Sequence, residues 1–161
     1  MKFRKGDSMT KEEKITNLET LTHINNVRDK MNEVVTALLA KAENHDKSKM
    51  EEPELTPFVK MTPMLAKTTY GSEEYNGFLE ELKPALDHHY AKNTHHPEHH
   101  KEGVADMTLI DIMEMLCDWK SATMRHNDGN LRKSIEINGK RFKINSQLIK
   151  ILENTVKEMG W

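Results

Sequence analysis

The amino-acid sequence predicts an all-α protein, a single-domain helical bundle of about six to seven helices over residues 1–161. Apolar residues recur at intervals of three and four along most of the chain, which is the period of an amphipathic helix. The hydrophobic content of 36% beside a charged content of 31% is typical of a folded chain with a charged surface. The length of 161 residues is sufficient for one core without disulfides.

Composition excludes several classes of partner. The formal net charge is −2, from 24 basic and 26 acidic side chains, so no broad basic surface is available for duplex nucleic acid. Cys117 is the single cysteine, which indicates a reducing compartment and makes the cytoplasm the expected location. No apolar run approaches the ~18 residues of a membrane span, so no membrane partner is expected.

The N-terminal half predicts a flexible tail over residues 1–9, then one long helix or two in tandem. Apolar residues from Ile15 to Leu39 advance by three and four along that helix. His45 and Asp46 fall at its boundary, and a short helix should follow around residues 55–59. Residues 62–71, which contain a proline and a glycine, are expected to form a loop.

The middle of the chain predicts a helix and then a polar loop. Ser72 is a good N-cap for a helix that reaches about Tyr90, and Pro84 should kink or break it. Residues 93–103 are polar and rich in histidine, which favours irregular structure.

The C-terminal part contains the clearest helix. Thr108 is its expected N-cap, and apolar residues continue at helical spacing to Met124. Residues 131–144 fit either a helix or a hairpin around Asn138 and Gly139, and the helix is favoured. Ser146 is expected to cap a last helix.

The histidines are clustered in the sequence. His23 stands alone, His45 adjoins Asp46, and six histidines lie between residues 88 and 100. Neutral imidazoles and carboxylates are ligands of divalent transition metals, and a mixed set with open positions suits a hydrolytic centre. Asp118 lies in an apolar helical segment, where a carboxylate needs a cation or a donor beside it. Taken alone, His45-Asp46 is more often a capping or surface pair and Asp118 a salt-bridged acid, but their order along the chain favours a metal site.

The same residues resemble the HD superfamily of metal-dependent phosphohydrolases, and more closely a small bacterial and phage HD-like family of unknown function. The resemblance covers about residues 20 to 119, with Ser48 where the superfamily variant has glycine. The matching residues are Thr20, His23 and Ile24; His45, Asp46, Ser48, Lys49 and Glu54; His88, His89, Asn93, His95 and His96; and Glu114, Met115, Asp118 and Trp119.

The resemblance implies a helical bundle of HD-domain type with one or two divalent transition metal ions, such as Mn, Fe, Co, Ni or Zn. The implied metal ligands are His23, His45, Asp46 and Asp118, with His89 and His96 for a second ion and His88 and His95 as alternates. Neighbouring histidines on a helix point about 100° apart, so only one of each pair is expected to face the metal.

The implied activity is that of a phosphomonoesterase or nucleotidase on a small nucleotide. The alternatives are a phosphodiesterase on a cyclic or short oligonucleotide, and a non-catalytic metal-binding or partner-binding helical protein. Glu54 is expected to support a ligand histidine or to shuttle a proton. The expected catalytic residues are Asp46, Lys49 and Glu54. The expected substrate-binding residues are Lys49, His88, His95 and Arg125. The partner is then a small phosphate ester, and a homodimer is compatible with the sequence.

Overall fold

The computed structural model describes residues 9–65, 68, 73–124 and 129–161. Within these residues the chain is helical and has no strand, so the predicted all-α class is confirmed. The α-helices are α1 (Lys11–Asn44), α2 (Leu55–Leu65), α3 (Glu73–Lys92), α4 (Leu109–Thr123), α5 (Leu131–Arg141) and α6 (Ser146–Met159). Short 3₁₀ helices lie at Lys47–Met50, Pro97–His99 and Gly103–Asp106. The predicted tail (except Met9), the Ser72 cap and Arg125 lie outside the described residues.

The chain divides into two compact units, residues 1–40 and 41–161. Most of α1 belongs to the first unit, where Thr10 begins the helix with reciprocal bonds. The Thr10 N–H donates to Glu13 Oε2 at 2.8 Å, and the Glu13 N–H donates to Thr10 Oγ1 at 3.2 Å. This pattern satisfies two backbone donors at the helix start. That the whole chain forms one domain stays a prediction.

The second unit holds two apolar cores that position the candidate site. The larger core joins α4, α5 and α6, and the smaller core joins α2 and α3. The buried residues of the larger core are Met107, Met115, Leu116, Trp119, Leu131, Ile135, Leu152 and Val156. Those of the smaller core are Met61, Leu82 and Ala85. One face of α3 and one face of α4 are packed in a core. The positions of both helices are therefore fixed, and so are the polar side chains that they carry into the candidate site.

The N-terminus of α4 forms as the sequence predicts. Thr108 Oγ1 accepts the Asp111 N–H at 3.1 Å, and Asp111 Oδ2 accepts the Thr108 N–H at 3.1 Å. Residues 131–141 are helical and not a hairpin, because the Asn130 side chain caps α5 by accepting the Lys133 N–H at 3.0 Å. None of the described helices combines the length and apolarity that a bilayer crossing requires.

Three element boundaries differ from the prediction. The N-cap of α6 is Asn145, one residue before the predicted Ser146, because its side chain accepts the Leu148 N–H at 2.8 Å. Residues 62–65 of the predicted loop are helical, since α2 continues through Pro63 with the buried Met61 anchoring that turn, and most of the rest of that loop lies outside the described residues. α3 also continues through Pro84 to Lys92 and is anchored on both sides of the proline by core residues.

Candidate metal centre

The centre begins where α1 ends. Asp46 has a left-handed backbone conformation with φ 56° and ψ 12°, which aspartate tolerates better than most residues. The turn directs two adjacent side chains to one place, as the sequence prediction requires: His45 Nε2 lies 3.7 Å from Asp46 Oδ2. The pair therefore lies at a real turn of the backbone between α1 and the following 3₁₀ helix.

Two imidazoles face the other oxygen of Asp46, and a third lies beside them. His89 Nε2 lies 3.2 Å and His95 Nε2 3.6 Å from Asp46 Oδ1, and His89 Nε2 lies 3.0 Å from His96 Nε2. One ligand atom from each of these four residues lies within 4.8 Å of the others. Ligands bonded to one ion at ~2.1 Å lie about 3.0–3.4 Å apart, so this spacing suits a shared ion.

Two atoms of this group are buried without a partner. Asp46 Oδ1 and His95 Nε2 make no hydrogen bond within the described part of the chain. Leaving a buried polar atom unpaired costs about 1–3 kcal/mol, so such atoms usually have a ligand, ion or water beside them. The Asp46, His89, His95 and His96 side chains could therefore hold a divalent metal ion.

Local structure explains which histidines face the group. His89 lies one turn after Ala85 on the core face of α3 and is 1% exposed, whereas the His88 side chain is 33% exposed. This agrees with the expectation that one residue of a helical pair faces the metal. His95 and His96 both face the group, contrary to that expectation, because they lie in a loop where the helical angle does not apply.

Asp118 joins the centre from α4. Its Oδ1 lies 3.7 Å from His45 Nε2, and its side chain is 27% exposed. Glu114, one turn earlier, places Oε1 3.0 Å from His45 Nδ1 and 3.1 Å from His95 Nδ1. Sequence reasoning missed the role of Glu114, although its spacing of four from Asp118 puts both carboxylates on one face of the helix.

Glu54 forms the buried support of His89. The Glu54 carboxylate is 0% exposed; its Oε2 lies 2.9 Å from His89 Nδ1, and its Oε1 lies 2.7 Å from His88 Nδ1. Ser48 Oγ donates to Oε2 at 3.0 Å, and Asn93 Nδ2 donates to Ser48 Oγ at 2.8 Å. Hydrogen bonds from His88, Ser48 and His89 lower the pKa of Glu54 against the opposing effect of burial. Complete burial favours the supporting role over the proton shuttle.

The carboxylates around His45 change its ionisation. The Asp118 carboxylate contributes most to raising the pKa of His45 to about 9, against desolvation, and Glu114 and Asp46 add to it. Desolvation acts to raise the pKa of Asp46, but the His89 ring nitrogen 3.2 Å from Oδ1 and the hydrogen bond from Lys49 hold it well below its usual range. In the metal-free protein His45 is therefore a cation among ionised carboxylates at neutral pH.

The pKa values of His95 and His96, near Asp46, are lowered, whereas that of His45 is raised. Desolvation, with repulsion from His95 and His89, lowers the pKa of His96 to about 3. Desolvation also lowers the pKa of His95. Both rings are therefore neutral near pH 7, which is the form that binds a metal ion.

The raised pKa of His45 predicts how the stability of the metal-free protein changes with pH. A group whose pKa is higher in the folded state stabilises it fully below the unfolded value of 6.5, and this contribution is lost as pH rises to about 9. We expect the free energy of unfolding, measured in urea with a chelator, to fall across that window. His45→Gln, which cannot ionise, should show a smaller fall, and equal slopes for both proteins would contradict the assignment.

Two lysines approach the centre. Lys49 Nζ lies 2.6 Å from Asp46 Oδ2 and 5.3 Å from the centre of the Phe58 ring. Lys41 Nζ lies 2.7 Å from Asp111 Oδ1 and 3.3 Å from Glu114 Oε2. Lys49 thus lies beside the predicted ligands, as its expected role in substrate binding requires.

The structure brings most of the predicted ligands together. The predicted ligands that it gathers are His45, Asp46, His89, His96 and Asp118. His23 is exposed on α1 in the first unit and is not among the clustered ligand residues of the described chain, so its role stays a prediction. Nothing can be said of Arg125, which lies outside the described residues.

These features define an all-α protein with a buried histidine and carboxylate cluster that could hold a metal ion. The chain belongs to a family of unknown function, DUF5662, whose model matches residues 12–158. No curated protein and no solved structure matches the chain. The relation to the HD superfamily therefore stays a prediction.

Proposed function

We propose that the protein is a metal-dependent phosphohydrolase of the HD type that acts on the phosphomonoester of a small nucleotide. The observation that carries the proposal is the position of the Asp46 carboxylate between two sets of imidazoles. Its Oδ1 faces His89 and His95, and its Oδ2 faces His45. One carboxylate placed in this way can serve one ion or lie between two.

The donor set fits a divalent transition metal such as Mn, Fe, Co, Ni or Zn. Three imidazole nitrogens and one carboxylate oxygen lie close together, with neighbouring separations between 3.0 and 3.6 Å. Nitrogen and oxygen donors of this kind suit these metals, whereas magnesium and calcium prefer oxygen alone. A bound ion would supply Lewis acidity for the hydrolysis of a phosphate ester.

Two side chains near the cluster support phosphate binding. Lys49 is 36% exposed at its side chain, so its ammonium group is within reach of a ligand while it pairs with Asp46. His88 lines a cavity of about 450 Å³ together with Lys47 and Lys92 and with the carboxylates of Glu51 and Glu52. The lysine ammonium groups would offset the charge of a phosphoryl group. The cavity offers room for the rest of the substrate.

Turnover of phosphate esters tests the proposal. Purified protein supplied with manganese, cobalt, nickel or zinc should hydrolyse nucleoside monophosphates, and a chelator should abolish the reaction. Hydrolysis of cyclic or short oligonucleotides alone would favour the phosphodiesterase alternative. Metal binding without turnover on any ester would contradict an enzymatic role.

A matched pair of variants tests whether turnover depends on the cluster. Both lie in the histidine loop, residues 93–100. His96→Ala removes a predicted ligand and should lower turnover by at least ~100-fold, because a direct ligand should matter more than the residues that support it. His99→Ala is the control, since His99 is exposed and its Nδ1 bonds the Tyr90 carbonyl oxygen at 2.8 Å, away from the cluster. Equal loss in both variants would show that the loop and not the ligand is responsible.

A further inference from the structure

His45 and His95 share a single carboxylate oxygen. Glu114 Oε1 lies 3.0 Å from His45 Nδ1 and 3.1 Å from His95 Nδ1, and the two ring centres are 4.5 Å apart. An ionised carboxylate can only accept hydrogen bonds, so both Nδ1 atoms must carry the proton and donate. A ring that donates through Nδ1 is left with Nε2 as its metal-binding atom.

Both Nε2 atoms then face the same carboxylate of Asp46. His95 Nε2 lies 3.6 Å from Oδ1, and His45 Nε2 lies 3.7 Å from Oδ2. We propose that Glu114 is a positioning residue that fixes the ring orientation and the tautomer of both histidines, so that Nε2 of each faces the ion. This inference rests on the ion site of the proposed function and gives a role to Glu114, for which the sequence motif assigned none.

Lys41 holds the other end of Glu114. Lys41 Nζ lies 3.3 Å from Glu114 Oε2, bonds Asp111 Oδ1 at 2.7 Å and also contacts Thr94 Oγ1. Thr94 directly precedes His95, so one ammonium group ties the histidine loop to α4. The Glu114 side chain is 9% exposed, which protects these charged hydrogen bonds from solvent.

The same contacts argue against Glu114 as a direct ligand. Its Oε1 is at hydrogen-bond distance from two ring nitrogens, and its Oε2 faces the ammonium group of Lys41, which would repel a metal cation. Glu114 Oε2 makes no hydrogen bond within the described part of the chain, but it lies 3.3 Å from the Lys41 ammonium group. A carboxylate placed between two imidazoles and an ammonium group can orient the rings without binding the ion itself. Glu114→Gln keeps the shape of the side chain and removes its charge, so it isolates this role.

The tautomer of His95 tests the inference without any ion. Nitrogen NMR of metal-free protein at mildly alkaline pH should show His95 protonated at Nδ1 in the wild type and at least partly protonated at Nε2 in Glu114→Gln. Asp111→Asn is the matched control, because Asp111 shares Lys41 but contacts no histidine in the described chain. The control should keep the wild-type tautomer. An unchanged tautomer in Glu114→Gln, or a wild type protonated at Nε2, would overturn the inference.

Zinc binding separates positioning from ligation. Titration should give the same stoichiometry for wild type and Glu114→Gln, with affinity lower by ~10–100-fold in the variant and nearly unchanged in Asp111→Asn. Loss of one equivalent of zinc would make Glu114 a ligand, and equal weakening in both variants would make its role merely structural. If wild-type protein bound no zinc, the proposed function would fail, whereas the tautomer result would still decide the role of Glu114.

Discussion

Asp46→Asn is expected to cause the largest loss of metal affinity, at least ~100-fold, together with loss of hydrolysis. Asp46 is the one side chain that faces His45 through one oxygen and His89 and His95 through the other. Asparagine removes the negative charge and replaces one oxygen by an NH₂ group that cannot bind a cation. The variant therefore damages both sides of the cluster at once.

The choice of asparagine keeps the test specific. Position 46 has a positive φ of 56°, and asparagine adopts this conformation as readily as aspartate. The metal-free variant should therefore fold like the wild type, as checked by circular dichroism and urea unfolding. Asp87→Asn, which changes an exposed aspartate paired with Lys83 on α3, should leave metal affinity unchanged. Wild-type affinity in Asp46→Asn, measured by calorimetry, would be incompatible with the proposed site.

Glu54→Gln is expected to lower both the stability of the protein and its metal affinity. Glu54 is fully buried and accepts hydrogen bonds from Ser48, His88 and His89. Glutamine offers one acceptor in place of two and turns an NH₂ group towards donors. The expected loss is about 2–4 kcal/mol in the free energy of unfolding and ~10–100-fold in metal affinity.

Urea unfolding of the metal-free protein and calorimetric metal titration measure the two losses separately. Glu81→Gln is the control, since Glu81 on α3 is an exposed partner of Lys60 on α2. It should change the free energy of unfolding by less than ~1 kcal/mol and leave the affinity unchanged. A Glu54→Gln protein as stable as the wild type would mean that the buried contacts of Glu54 contribute little.

Much of the fold could be predicted from local patterns. Helical periodicity located the helices, and Thr108 was predicted as a cap because its hydroxyl satisfies a backbone donor that only a helix start leaves free. The ends were less predictable where packing decides, as for α2, in which Met61 in the core extends the helix through Pro63. Periodicity alone could not exclude a hairpin at 131–144, which the Asn130 cap and the burial of Ile135 settle as a helix.

The residue types of the candidate site could be predicted from the sequence. The contacts between its carboxylates and its histidines could not. His45, Asp46, His89, His96 and Asp118 are identified by motif order, and the structure brings them together. The supporting carboxylates depend on distances across elements, so the sequence could not show that Glu54 and Glu114 each serve two histidines.

The sequence also could not predict that His95 and His96 both face the candidate metal group. Both residues lie in a loop whose backbone path has no fixed angle between neighbours, unlike the helix that carries His88 and His89. The direction of each ring depends on contacts formed only in the folded chain, such as that between His95 Nδ1 and Glu114 Oε1.

Anomalous scattering from crystals grown with manganese or zinc tests the central claim most directly, because it locates the ion. We predict a peak at bonding distance, ~2.0–2.3 Å, from His89 Nε2, His96 Nε2 and an oxygen of Asp46. A metal-loaded crystal whose peaks lie only elsewhere, such as beside the exposed His99, would contradict the claim that this cluster is a metal centre.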